Sequence, residues 1–488
     1  MSVRDLEPKA LWNNFADLNA VPRGSKKEEK VIQFMLDFGK KLGLETINDA
    51  IGNVIIKKPA SSGMENKKTI ILQSHIDMVH QKNNDTVFDF DTQGIEMIVE
   101  GDWVRANGTT LGADNGIGVA TIMAVLESKT IQHPAIEAMF TIDEETGMTG
   151  AINLDPTNFS GEILLNLDTE DDDELSIGCA GGIDTNTSFK YDETDIPESF
   201  IPFALSVKGL LGGHSGMDID KGRGNANKIM NRLFFHFLKS GICFSVVSID
   251  GGSLRNAIPR ESNSVIVVKD SFIPKFKEEL AIITERINDE FKMIEKSLNI
   301  SSEKVTLKNG EKMMAGVGTF VSIIRAIQAT HNGIFRMSPD IEGLVESSSS
   351  LARIILKDGE FITQSLQRSS VESSRDDVAD TVSSPFKMMG CDVVQNGEYP
   401  GWQPNSDSAI LEIMKKLYSK NFSAEAEVKA CHAGLECGIL SKHLPGVDMI
   451  SFGPNIRAAH SPDEKCQISS VQKYWNFFLD TMIEIPNK

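Results

Sequence analysis

Five short segments hold histidine and carboxylate side chains in arrangements able to do chemistry: Ser74-His75-Ile76-Asp77, Gly112-Ala113-Asp114-Asn115-Gly116, Asp143-Glu144-Glu145-Thr146-Gly147, Asn166-Leu167-Asp168-Thr169 and Ala459-His460-Ser461-Pro462-Asp463-Glu464. Each falls at the end of a strand-like run or in the loop beyond it, where open α/β sheets hold their ligands. Imidazole and carboxylate are the donors expected around hydrolytic Zn2+, and two such ions about 3.5–4 Å apart share a bridging carboxylate and a water. The set suits two ions. In His75-x-Asp77 an extended backbone turns both side chains to one face, so Asp77 is placed to orient the imidazole of a ligating His75. Glu144 and Glu145 diverge in an extended chain, so one can ligate while the other acts on water.

Any one segment alone says little, because a lone histidine or an acidic pair at a strand end is more often a surface or hydrogen-bonded group than a ligand. His80, His133, His236, His331 and His443 are read as structural or exposed on that ground. Other chemistries lack their patterns. Gly112, Gly116 and Gly118 do not form G-x-G-x-x-G, and neither G-x-S-x-G nor G-x-x-x-x-G-K-[ST] occurs.

The elements that must position these groups alternate between helical and strand patterns over the first third of the chain, which indicates an α/β layer architecture. Apolar residues at helical spacing predict an amphipathic helix over 26–42, and a buried helix is expected over 116–126. Short apolar strands are expected at 69–73, 135–141 and 162–167. From about residue 186 the texture changes to polar strands, serine-rich loops and long amphipathic helices at 273–294 and 316–330. Near Tyr399-Pro400-Gly401-Trp402 the first texture resumes, with a helix over 408–417, a strand over 447–452 and a closing helix from Val471 to Met482. The expected organisation is a catalytic α/β domain, a mixed sheet flanked by helices, built from 1–186 and 396–488, with an α+β domain of 187–395 inserted. In the last segment, Ser461 as N-cap, Pro462 at N1 and Glu464 at N3 predict the start of a helix.

The 488 residues carry 69 acidic against 49 basic side chains, a formal charge of −20, which repels nucleic-acid phosphates and anionic membranes. Neither is expected as a partner. The acidic run over 169–174 reads as a solvated loop. The six cysteines are scattered without a C-x-x-C pair, so reduced thiols are expected. Residues 1–8 lack an apolar core and no apolar stretch approaches the ~18 residues of a membrane span, so a cytoplasmic location follows by default.

Taken in order, the motifs resemble the co-catalytic zinc peptidase family that contains carnosinase, peptidase T, aminoacylase and acetylornithine deacetylase, and within it the dipeptidase branch. The resemblance rests on SHIDMV (74–79), LGADNGIG (111–118), DEETGMTGA (143–151), LDTE (167–170), GLLGGHSGMDI (209–219), RNAIPRE (255–261), YPGW (399–402), HAGLECG (432–438) and HSPDE (460–464). It implies two zinc ions per chain, with cobalt or manganese as substitutes: His75 and Asp168 on one, Glu145 and His460 on the other, Asp114 bridging. Glu144 would be the general base and Asp77 the partner of His75, and the Asp114–Asn115 peptide would be cis. It further implies an oxyanion donor, His214, on the inserted lid, with Asn256 and Arg368 gripping the ends of a dipeptide of the Xaa-His type or broader, and a homodimer formed through the lid. Ser350 stands where the family pattern has asparagine, which puts one lid contact in doubt. An N-acyl-amino-acid deacylase of the same fold and an inactive metal-binding scaffold are the alternatives.

Overall fold

The computed structural model describes residues 2–83, 85–308 and 310–488. The chain forms two compact units, one of Met1–Gly178, Trp402–Ala430 and Leu435–Lys488, the other of Cys179–Gly401 and Cys431–Gly434. The expected boundaries at 186/187 and 395/396 lie inside the second unit. The reason is register: strand Gly181–Lys190 pairs along its length with Glu360–Ser369 and Asp392–Tyr399, so these residues share one sheet.

In the first unit, strands Ile136–Thr141, Ile70–His75, Ile163–Asn166 and Asp448–Ser451 lie side by side and parallel. Their apolar runs are buried throughout, as expected for strands covered on both faces. Strands Glu45–Asn48 and Val54–Lys58 add antiparallel at one side, and Glu174–Cys179 and Glu427–Cys431 complete an eight-stranded mixed sheet. Parallel strands end at one edge. His75 is the last residue of its strand, and Asp143 to Glu145 and Asp168 follow just beyond two others, so the topology gathers them.

Helix Ala113–Glu127 is buried over almost its whole length and packs against strand Ile70–His75 and helix Lys9–Asn19. A side chain at Gly118 would collide with Asn115 Oδ1 and Ser74 Oγ, so this close approach requires glycine. Helix Glu29–Lys41 turns Val31 and Met35 inward, matching the predicted stripe. The closing helix runs Ile468–Glu484 and buries Val471, Tyr474, Phe477, Phe478 and Met482. No helix starts at Ser461. Residues 461–464 form a turn closed by the Glu464 N–H on the Ser461 carbonyl at 3.0 Å, and the Glu464 carboxylate is used elsewhere.

The second unit is a nine-stranded antiparallel sheet, carrying helices Ala226–Lys239, Ile273–Phe291, Val317–Ala329 and Glu372–Met389. Its core joins Phe203, Phe234, Phe237, Phe244, Phe276 and Phe320. The serine run 347–350, loop-like in composition, is strand: it pairs with 366–369 inside Val345–Lys357, where the ladder satisfies its backbone. Among the described residues, no helix is long and apolar enough to cross a membrane.

Candidate metal centre

His75, buried at its strand end, places Nε2 3.1 Å from Asp114 Oδ1 and 3.5 Å from Asp168 Oδ1. His460 Nε2 lies 3.1 Å from the other Asp114 oxygen, Oδ2, and 2.9 Å from Glu145 Oε2. Ligand atoms of His75, Asp114 and Asp168 fall within 4.8 Å of one another, as do those of Asp114, Glu145 and His460. Asp114 belongs to both groups. A third such group joins His75, Glu144 and Glu145, so Glu144 lies beside the cluster and not away from it.

Local backbone explains how each donor is presented. Asp114 (φ −78, ψ 111) and Asn115 (φ −102, ψ 28) depart from helical geometry at the head of their helix, across a cis peptide. Asn115 Nδ2 donates to the Asp168 carboxylate and, at 2.8 Å, to the Leu167 carbonyl. His460 has φ 61, in the left-handed region. Asp77 does more than face His75 Nδ1 at 3.4 Å. It also accepts the N–H groups of Glu144 at 3.1 Å and Glu145 at 3.3 Å and the Ser25 hydroxyl at 2.7 Å, so one buried carboxylate holds two of the five segments.

Charge is concentrated here. Burial favours a neutral His75 ring, yet Asp168, Asp114 and Asp77 together hold its pKa well above the usual value. Hydrogen bonds to Asp114 and Glu145 raise His460 to about 11. Burial pushes Asp168 up to about 6, and burial with neighbouring carboxylates raises Glu144 well above the ordinary range. A tight group of carboxylate oxygens and imidazole nitrogens with this demand for positive charge fits divalent cations of the zinc class.

Several contributors escape a sequence reading. Glu464 accepts the N–H groups of Leu111 at 2.8 Å, Gly112 at 3.0 Å and Ala113 at 2.8 Å, with Asp114 at 3.4 Å, and so caps the helix that carries Asp114. Buried Arg23 donates to the carbonyls of Ile76, Asp77 and Gly112 and to Asn19 Oδ1. Beneath the donors a polar chain crosses the sheet. Thr169 contacts Ser451, Ser451 donates to Asn166, Asn166 to Gln73, and Gln73 to Glu436 at 2.6 Å, which Thr141 also reaches at 2.9 Å. Burial pushes Glu436 up to about 7.

The remaining histidines of this unit take other partners: His80 stacks on Phe90, His133 bonds the Pro134 carbonyl, and His443 the Ile152 carbonyl. In the second unit His236 pairs with Glu279 and His331 bonds the Gly333 carbonyl.

The second unit brings His214 and Arg368 together. His214 Nδ1 accepts the N–H groups of Gly216 at 3.2 Å and Met217 at 3.0 Å. Burial and Arg368 lower its pKa to about 4, so the ring is neutral and its proton sits on Nε2. Arg368 Nη2 lies 3.3 Å from that nitrogen, and Nη1 donates to Tyr399 Oη at 2.6 Å. Asn256 has an exposed side chain, and its carbonyl accepts the Ser215 N–H at 2.8 Å. His432, unnoticed in the sequence, is buried with Nε2 2.7 Å from Ser348 Oγ. Ser350 Oγ is buried and takes no partner among the described residues.

Known proteins share both the sequence and the fold. Cytosol non-specific dipeptidase of Escherichia coli (strain K12) is 38% identical over 483 residues, 99% of each chain. The crystal structure of aminoacylhistidine dipeptidase from Vibrio alginolyticus matches with a TM-score of 0.95 at 41% identity, covering 100% of this chain and 99% of that one. Aminopeptidase PepT from Bacillus cereus ATCC 10987 shares the fold at a TM-score of 0.56 and 16% identity, over 98% and 99% of the chains. The model of Peptidase family M20/M25/M40 matches residues 71–484. That span contains all five strand-end segments, and the chain belongs to this metallopeptidase family.

Proposed function

We propose that this protein is a metallo-dipeptidase, hydrolysing dipeptides of the Xaa-His type and more broadly, with two Zn2+ ions per chain. The observation that carries this reading is Asp114, whose two oxygens face different histidine–carboxylate pairs. Full-length similarity to two bacterial dipeptidases supports the substrate class. His75 and Asp168 would hold one ion, Glu145 and His460 the other, and Asp114 both; Co2+ or Mn2+ suit the same donors. When bound, such ions bring the pKa of a water toward ~7 and polarise the substrate carbonyl.

The remaining work belongs to the chain. Glu144 takes the proton of the attacking water and passes it to the leaving amine nitrogen. Its raised pKa favours holding that proton between the two events. Asp77 keeps His75 and the Glu144 backbone in place. His214 donates Nε2–H to the developing oxyanion, Arg368 pairs with the substrate's C-terminal carboxylate, and Asn256 adds a polar contact. The second unit acts as lid and as homodimer surface, a role supported by the motifs at 209–219 and 255–261. The cytosolic relative supports a cytoplasmic location.

Hydrolysis of an Xaa-His dipeptide, measured beside an N-acetyl amino acid, tests the reading; cleavage of only the latter makes the protein a deacylase. Glu144→Gln should keep both metals and lower kcat by about a hundredfold or more, since a general base contributes ~10²–10⁴. Loss of metal together with activity would make Glu144 a ligand.

A further inference from the structure

Arg368 is only 4% exposed, yet no carboxylate pairs with it among the described residues. Its Nη1 donates to Tyr399 Oη at 2.6 Å, Nη2 lies 3.3 Å from His214 Nε2, and Nε is buried without a partner. Phenol and neutral imidazole orient the guanidinium without balancing its charge. A carboxylate brought by the substrate supplies that balance.

The Tyr399 contact is built by register. Strand Gly181–Lys190 runs between Glu360–Ser369 and Asp392–Tyr399, and its Gly182 stands opposite Arg368 on one side and Tyr399 on the other. Residues so opposed share a face of the sheet. Arg368 and Tyr399 are nevertheless two strands apart, roughly 9.5 Å at the usual spacing, so their side chains meet only across Gly182. A β-carbon on Gly182 would lie 2.6 Å from Tyr399 Cε1 and Oη, so the ring passes directly over the glycine. Gly434 approaches the opposite ring edge, where a β-carbon would lie 3.0 Å from Cε2. The ladder also slips by one residue between Asn396 and Tyr399. In the unbroken register Glu398 would oppose Gly182 and Tyr399 would turn to the other face. The arginine stem is confined as well, since a β-carbon on Gly216 would lie 3.1 Å from its Cδ and Nε.

We propose that Tyr399 is a positioning residue, which reaches across Gly182 to preset the Arg368 guanidinium for the C-terminal carboxylate of the dipeptide. An arginine left free would have to be ordered at each binding event, at a cost in affinity. The proposal rests on the carboxylate role given to Arg368 above. Tyr399→Phe keeps the ring and removes the hydroxyl. In the zinc-loaded Glu144→Gln protein, which binds without turnover, calorimetry compares an Xaa-His dipeptide with its C-terminal amide, across Tyr399→Phe, Arg368→Gln and both together. If that protein shows no preference for the free carboxylate, or Arg368→Gln retains it, the role of Arg368 fails and that of Tyr399 falls with it.

Tyr399→Phe should cut the preference about tenfold, the weight of a hydrogen bond to a charged group, and leave affinity for the amide unchanged. Added to Arg368→Gln it should cause no further loss, because Tyr399 acts through the arginine. With Glu144 restored, Tyr399→Phe should raise KM for the dipeptide by a similar factor and leave kcat nearly unchanged. An intact preference, equal weakening of both ligands, or a further loss in the double variant would each overturn the proposal, the last by making Tyr399 a substrate contact in its own right.

Discussion

Glu464→Ala removes an acceptor on which three short N–H bonds converge, from Leu111, Gly112 and Ala113, with Asp114 at 3.4 Å as a fourth. Each bond to a charged acceptor is worth about 1.5–3 kcal/mol, and a buried donor left unsatisfied costs about 1–3 kcal/mol. These terms overlap, and water can enter the space of the lost side chain, so the total resembles the breaking of a buried ion pair, about 3–5 kcal/mol. Arg23 adds to it, because Glu464 is the leading carboxylate among the charges that favour its ionised form. At about 1–2 °C per kcal/mol for a cooperative unit of this size, Tm should fall by roughly 3–9 °C. Glu464→Gln should fall about half as far, since one carboxamide oxygen still accepts while the NH2 group faces donors. The loop these bonds hold carries Asp114, so a chelator competition should show weaker metal retention in both variants. Differential scanning calorimetry and metal analysis measure the two effects. A Glu464→Ala protein within about 1 kcal/mol of wild type would refute the capping argument, and a clear loss of stability with unchanged metal retention would refute the link to Asp114.

Asp114→Ala should empty at least one metal position, because a shared ligand serves both ions; elemental analysis showing two tightly held ions would sink the bridge. His214→Ala should keep both metals and lose about 10²–10³ in kcat, whereas a turn residue alone would lower Tm with kcat intact. Mixing His214→Ala with Glu144→Gln chains tests whether the histidine serves a partner subunit: active hybrids establish crossing, and confirmed but dead hybrids exclude it. His432 has its pKa lowered to about 3, first by burial and then by Arg368. The unfolded chain takes up a proton near 6.5 and the folded chain does not, so this stabilising contribution is complete above pH 6.5 and is lost as pH falls toward 3. His432→Gln should therefore flatten the decline of stability between pH 6.5 and 4, and denaturation midpoints that run parallel to wild type would contradict it.

The parts legible in the sequence are those with a local signature. Runs such as 69–73 and 135–141 announce strands by composition, and a histidine or acid at their ends stands out against the apolar residues before it. His75, Asp114, Glu145, Asp168 and His460 are gathered in space because parallel strands end together. Long-range partners leave no such mark. Glu464 looked like a residue serving its own turn, yet its acceptors' donors lie as far as 353 positions away. Arg23 sits in an unremarkable loop and acts on backbone carbonyls, which have no side-chain identity to read. The edges of the second unit depend on register within strand Gly181–Lys190, and its alternating texture continues smoothly across the expected boundary.

The polar chain from Thr169 through Ser451, Asn166 and Gln73 to Glu436 links three neighbouring strands by side chains as well as by backbone. Each interior member bonds to the next along the chain, so its members are not independent in evolution. Replacing one by an apolar residue strands the group beside it, whereas replacing several together by well-packed apolar residues can be nearly neutral. Sequence change at these positions should therefore proceed in blocks, with single-step intermediates less stable than either end state. The same linkage makes the strand ends yield together or not at all. Substitutions far from the donors but on this chain should thus register as a shared loosening of the whole ligand-bearing edge, not as the fraying of one strand.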